Sequence, residues 1–244
     1  MTTSHTPTAL ITGASRGLGL ALARDLARDG WQLVIDARTP DGLADAAAEL
    51  GELTTIRAVA GDVTDAWHRA ALVAEVEELG GLDALVLSAS TLGSSPMPEV
   101  LDHPVDVLRQ IFEVNVVAPI ALTSDLLPQL QPGARVIAVT SDAAVGAYPG
   151  WGGYGSSKAA LEQAFAVVAE EHPELRVYRV DPGEMRTQMY QESAPGQDIS
   201  DLPPPEVSVP GFRRLLAGHL PSGRYEAREV PAVAAAPTPS GVAS

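Results

Sequence analysis

The stretch TALITGASRGLG, residues 8–19, decides the fold. Thr8–Ile11 is a short apolar run of the kind that forms a buried strand. It leads into Gly13, Gly17 and Gly19, and from Leu18 to Arg28 the residues Leu18, Leu22 and Leu26 fall on one side of a helix. Glycine is required where a chain turns sharply and where its backbone must approach a pyrophosphate. A helix starting at that point offers free N–H groups and the positive end of its dipole. A Gly-x-x-x-Gly-x-Gly spacing between strand and helix therefore reads as a dinucleotide-binding turn rather than an ordinary tight turn.

The alternation continues outward. Gln32–Asp36, Thr55–Val59, Ala84–Leu87, Arg135–Val139 and Arg176–Val180 are further strand candidates. Helical stretches separate them: Asp41–Leu50, one capped by Asp65 and running to Glu78, Asp106–Leu130 and Ser156–Glu171. Pro119 and Pro128 bend or divide the third. Strands joined through helices imply right-handed crossovers and a parallel sheet. Continuous apolar strands imply helices on both faces. The expectation is one α/β domain over residues 1–229, a Rossmann-like doubly wound parallel β-sheet flanked by helices on both faces. Ten of the 20 prolines lie from Pro182 onward, which ends the regular alternation there. A loop excursion, a helix near Val209–Ala217 and a final strand near Arg224–Ala227 are expected, with residues 230–244 as a frayed tail.

Among 244 residues, 16 Lys+Arg face 31 Asp+Glu, a formal net charge of -15. That balance disfavours nucleic acid and anionic membrane surfaces, both of which need a basic face. The absence of cysteine excludes disulfides, thiolate metal sites and a cysteine nucleophile. The histidines at 5, 68, 103, 172 and 219 show no ligand-pair spacing, so no metal is expected. Met1–Thr8 lacks the pattern of a secretory signal, and no run of about 18 uninterrupted apolar residues occurs. A cytoplasmic protein is the expectation.

Two further segments carry chemistry. Asp36-Ala37-Arg38 follows the second strand, where an adenosine ribose would lie. Arg38 and Arg16 could clamp a 2′-phosphate, whereas an acid at the ribose position would favour NAD. Tyr154 and Lys158 are four apart at a helix start, hence on one face. A nearby ammonium should lower the phenol from its usual value of about 10, making Tyr154 a general acid or base. Ser141, at the end of the fifth strand, can orient a substrate carbonyl.

On these residues the chain resembles the short-chain dehydrogenases/reductases of about 250 residues, over roughly residues 8–228. The matching positions are Thr12–Gly19, Asp62-Val63, Asn115, Ser141, Tyr154, Lys158, Pro182-Gly183 and Thr187. The resemblance implies that Asn115 kinks its helix and holds a water, Lys158 contacts the nicotinamide ribose, Tyr154 transfers a proton and Ser141 fixes the carbonyl. It implies cofactor contacts from Gly13, Ser15, Arg16, Gly17, Leu18, Gly19, Arg38, Asp62, Val63, Ala89, Tyr154, Lys158, Pro182, Gly183 and Thr187. It also fixes register: Ala37 falls where NAD-dependent members carry their acid, Asp36 is one residue early and points away, and NADP(H) is preferred, with NAD(H) the alternative. Leu87-Ser88-Ala89-Ser90 departs from the usual Asn-Asn-Ala-Gly, so a modest local rearrangement is expected.

The substrate side is expected from Met97, Tyr148, Trp151, Met185, Met189 and Tyr190, an apolar and aromatic lining with few charges. A proline-stiffened lid is expected over about 183–221. The leading expectation is an NADPH-dependent reductase of hydrophobic or aromatic ketones and aldehydes. The alternatives are an epimerase or dehydratase on the same fold, and a non-catalytic dinucleotide-binding module. Family members commonly pair through the helices bearing Asn115 and Tyr154, which implies a homodimer or homotetramer.

Overall fold

A computed structural model describes residues 5–231. Seven strands form one parallel sheet in the order β3-β2-β1-β4-β5-β6-β7. They are β1 (Thr8–Ile11), β2 (Gln32–Ala37), β3 (Ile56–Ala60), β4 (Leu82–Leu87), β5 (Leu130–Val139), β6 (Arg176–Asp181) and β7 (Gly223–Glu226). The helices are α1 (Gly17–Arg28), α2 (Pro40–Gly51), α3 (Ala66–Glu78), α4 (Val105–Phe112), α5 (Ala118–Leu126), α6 (Gly152–Glu171), α7 (Gln188–Ser193) and α8 (Val209–Ala217).

Successive strand residues serve opposite layers. Ile11, Ile35 and Val86 pack with Leu22, Leu43 and Phe212 on one face. Leu10, Val34 and Leu85 pack with Leu72, Leu122 and Phe165 on the other. Both faces are covered, which is why the strands read as unbroken apolar runs. Strand order reverses between β1 and β4, so their carboxyl ends open the crevice where such sheets bind ligands.

Three differences from the sequence reading stand out. β5 begins five residues earlier, because Pro132 and Gly133 occupy an irregularity between the Leu82↔Leu130 and Ala84↔Arg135 pairs. A short helix, α7, sits in the segment read as loop, where Thr187 caps it by accepting the Tyr190 amide at 3.2 Å. Val230 is not frayed: it is 2% exposed, and its carbonyl accepts from Arg214 at 2.7 Å. The rest of the expected tail, from 232, lies outside the described residues.

The long helical stretch is divided as its prolines suggest. A π-helical turn over Glu113–Val117 joins α4 to α5, and Pro119 stands in the first turn of α5. By length and apolarity Val105–Gln129 would suffice to cross a membrane. Here its Leu122 and Leu126 are buried against the sheet.

Candidate active site

The glycine turn has the shape its residues dictate. Gly13 has φ +67, and a Cβ there would stand 3.0 Å from the Ala89 Cα. A Cβ on Gly19 would stand 2.4 Å from the Gly13 carbonyl oxygen, so only glycine lets α1 close on the turn. No side chain caps α1, which leaves its first N–H groups facing the crevice for an anionic ligand. The Thr12 hydroxyl accepts the Ser88 and Ala89 amides, each at 3.0 Å. That contact ties β1 to the Leu87-Ser88-Ala89-Ser90 segment, whose usual asparagines are absent.

Asp36 lies beneath this turn. One carboxylate oxygen accepts the Gly13 amide at 2.9 Å, and the other pairs with His68 Nε2 at 3.0 Å. Asp36 and His68 are 1% and 7% exposed, so the acid is held within the protein. Sequence reading missed His68, since nothing in the spacing of residues 36 and 68 signals a contact between β2 and α3.

The turn opens into a cavity of about 620 Å³. Every expected cofactor residue lines it except Gly183, which is exposed, with its amide given to Asp181 at 2.9 Å. Arg38 is exposed at the rim. Arg16 donates to Gln188 of α7, linking the turn to the far wall. Burial alone would raise Asp62, but the Thr64 amide and hydroxyl, with Arg38 and His68 near, hold it below the usual carboxylate range.

At the inner end stand Tyr154 and Lys158, 8% and 2% exposed. α6 starts at Gly152, earlier than expected, so Tyr154 is in its first turn and Lys158 one turn on. Lys158 Nζ donates to the Val139 carbonyl at 2.9 Å and lies 5.5 Å from the Tyr154 ring centre. Burial lowers the ammonium to about 8. The expected lowering of the phenol is not found. Burial raises Tyr154 well above its ordinary value, with Asp181 and Asp142 adding to it and Ser141 and Ser90 opposing.

Asn115 is fully buried in the π-helical turn. Its Oδ1 accepts from the Ser90 hydroxyl at 3.0 Å and the Thr91 amide at 2.9 Å. Its Nδ2 donates to the Thr91 carbonyl at 2.9 Å and the Ser157 hydroxyl at 3.0 Å. These four bonds fill the carboxamide's capacity. It binds α6 and the segment after β4 together.

On the substrate side, Leu92, Ala143 and Tyr154 form a small apolar cluster with Met97, Trp151 and Met189 packed on it. The Trp151 and Tyr154 rings meet edge to face, 5.7 Å between centres. Met185 instead packs on the main core and lines the dinucleotide cavity. Tyr148 is half exposed, and Tyr190 donates to Glu184 at 2.9 Å. Asp142 accepts from the Ser141 hydroxyl at 2.9 Å and raises Tyr148 by accepting from its phenol. The mouth thus holds two carboxylates, Asp142 and Glu184, where few charges were expected. Among the described residues no cluster of His, Asp and Glu is arranged to hold a metal.

The lining fits a dinucleotide: bare glycine backbone at an uncapped helix start, cations at 16, 38 and 158, and a long cavity joining them. The short chain dehydrogenase family model matches residues 7–198. A benzil reductase ((S)-benzoin forming) of Saccharomyces cerevisiae is 33% identical over 195 residues, 75% of this chain and 73% of the yeast protein. The structure of a short chain dehydrogenase from Shigella flexneri complexed with NADP has a TM-score of 0.84 and 25% identity, covering 91% of this chain and 97% of that one. An alcohol dehydrogenase from the archaeon Thermococcus sibiricus complexed with 5-hydroxy-NADP has a TM-score of 0.81 and 27% identity, covering 91% and 95%. With the family model spanning most of the chain and the glycine turn, Tyr154 and Lys158 lining one crevice, the chain belongs to the short-chain dehydrogenases and is an oxidoreductase.

Proposed function

We propose that the protein is an NADPH-dependent reductase of hydrophobic or aromatic ketones and aldehydes, reversible as an alcohol dehydrogenase. The observation that carries this reading is the buried, protonated Tyr154 phenol standing between the dinucleotide cavity and an apolar wall. When bound, the nicotinamide cofactor supplies the hydride. Tyr154 gives its phenolic proton to the substrate oxygen, and Ser141 orients that oxygen by hydrogen bonding. Lys158, beside the ring, favours the phenolate that is left. Trp151, Met97 and Met189 exclude water from the reacting carbon.

The preference for NADPH over NADH rests on Asp36 and Arg38. The Asp36 carboxylate is engaged by Gly13 and His68, and Arg38 stands free at the rim to meet a 2′-phosphate. The same reading makes the protein a homodimer or homotetramer, which Val117, Ile120 and Val167, exposed on the pairing helices, support. A panel of aryl and alkyl ketones, followed by NADPH and NADH consumption, tests the activity. Tyr154→Phe should reduce turnover at least a hundredfold, a typical size for general-acid removal. Full turnover by that variant would sink the mechanism.

A further inference from the structure

Ser141, Pro182 and Gly183 lie just past the ends of β5 and β6. Thr140 keeps one bond to the sheet, from its amide to the Val180 carbonyl at 2.8 Å. Beyond that point side chains take over, and several of them gather on one cation, Arg224 of β7. Its Nε donates to Glu162 Oε1 at 3.0 Å and its Nη2 to Asp181 Oδ2 at 3.2 Å. The same Nη2 lies 3.5 Å from the Ser141 carbonyl oxygen, which also accepts the Ala144 amide at 3.1 Å. Glu162 stands on α6 one turn past Lys158, and its Oε1 also accepts the Thr140 hydroxyl at 2.8 Å. The other oxygen of Asp181 accepts the Gly183 amide at 2.9 Å. Glu162 and Asp181 are 8% and 6% exposed.

We infer that Arg224 is a positioning residue: through Asp181 it sets the Pro182-Gly183 turn, and through Glu162 and the Ser141 carbonyl it sets Thr140 and Ser141, so that cofactor and substrate oxygen meet Tyr154 in one geometry. The inference rests on the reading that the nicotinamide end of the cofactor lies beside Tyr154 and Lys158. Thr140, Pro182, Tyr154 and Lys158 line the dinucleotide cavity, whereas Arg224 does not and acts only through them and their neighbours. A guanidinium is planar with its donors in a rigid fork. Two acids bonded along its Nε–Nη2 edge are therefore fixed in angle as well as in distance. An ammonium is a point charge that meets one acid without fixing the other. β7 is reached only after the excursion carrying α7 and α8, so the same residue fastens the end of that excursion to the reacting end of the cavity.

Nearly buried acids need a partner whatever the chemistry, so Arg224 also supports the fold. Arg224→Lys and Glu162→Gln, made in the full chain, separate that support from positioning. Arg224→Lys keeps the cation and loses the fork. Glu162→Gln keeps the shape and an oxygen for Arg224 and Thr140, but the bond to Arg224 loses its carboxylate and is weaker. Arg224→Lys should lower kcat for ketone reduction about a hundredfold, the cost of misplacing reacting groups by about 1 Å. Glu162→Gln should lower it about tenfold, the size of one charge-assisted bond. In both, Kd for 2′,5′-ADP, the adenosine half of the cofactor, should equal that of the wild type, because the glycine turn and Arg38 are untouched. A generally weakened fold would lose 2′,5′-ADP affinity along with kcat. That result, or wild-type kcat in either folded variant, would overturn the inference.

A second readout needs no turnover. The fluorescence of bound NADPH comes from its nicotinamide and responds to how that ring is held and kept from water. In Arg224→Lys saturated with NADPH the emission maximum should move toward that of free NADPH. An unmoved maximum overturns the positioning of the cofactor even in an impaired enzyme. A moved maximum with no ketone turned over by the wild type overturns the reductase reading and leaves the positioning standing. If Arg224→Lys does not fold, Glu162→Gln decides by the same two readouts.

Discussion

Ser141 donates its only hydroxyl hydrogen to the carboxylate of Asp142, its sequence neighbour, at 2.9 Å. The same oxygen accepts the Ala143 amide at 3.1 Å. A carbonyl substrate needs that hydrogen, so it must compete with a carboxylate for it. Bonds to charged acceptors are worth about 1.5–3 kcal/mol, so the competition is not trivial. Asp142→Ala should raise kcat/KM for neutral ketones by about tenfold, mainly through KM. Steady-state assays on one aryl ketone decide it. A fall instead would mean that Asp142 contacts the substrate, for example through a donor group on it.

Lys158 couples catalysis to stability. Burial holds its ammonium at about 8, against 10.5 in an exposed lysine. Between those values the unfolded chain binds more protons than the folded one, so folding stability rises with pH across the window. Below about pH 8 both states are protonated and the full cost of burying the charge is present, on the order of 3 kcal/mol. Lys158→Met should therefore be nearly inactive yet more stable than the wild type at pH 7. The advantage should shrink as pH approaches 10. Denaturant melts of ligand-free protein at both pH values check this, and a gap independent of pH would refute it.

Arg38 is in no ion pair among the described residues, unlike Arg24, Arg57, Arg69, Arg213 and Arg224. It stands exposed at the adenosine end of the cavity. Arg38→Asp replaces attraction for a 2′-phosphate with repulsion and supplies an acceptor for a free 2′-hydroxyl. KM for NADPH should rise tenfold or more, while that for NADH stays level or falls. An unchanged ratio of the two would remove Arg38 from cofactor choice.

What sequence showed and what it hid follow from range. Strands covered on both faces must be apolar throughout, so β1, β2, β4 and β6 were legible as runs. Tyr154 and Lys158 were legible because helical spacing puts four-apart residues on one face. The start of β5 was not, because Pro132 and Gly133 break the run where the register shifts. Val230 looked like tail because its partner, Arg214, belongs to a helix that only the tertiary fold brings near. The Ser90 departure was visible, but its meaning depends on Asn115, 25 residues away. Asp142 was equally visible, but only geometry shows the Ser141 hydroxyl turned toward it.

His68 is the least legible of these and gives the sharpest test of the floor beneath the glycine turn. Its ring pairs with Asp36, whose other oxygen holds the Gly13 amide. Gly61 allows this closeness: a Cβ there would stand 2.2 Å from His68 Nδ1. Removing the ring leaves a buried carboxylate oxygen without its partner, a loss of about 1–3 kcal/mol or more for a charged group. His68→Leu should therefore destabilise the fold by that order. It should also loosen Gly13 and raise KM for both cofactors, since the pyrophosphate turn is shared by NADPH and NADH. That pattern differs from Arg38→Asp, which should move one cofactor alone. The double variant His68→Leu/Asp36→Leu replaces both polar partners with apolar groups and should recover part of the lost stability, because no unpaired charge then stays buried. If the double variant is no more stable than His68→Leu, the Asp36–His68 pair is not what holds the turn.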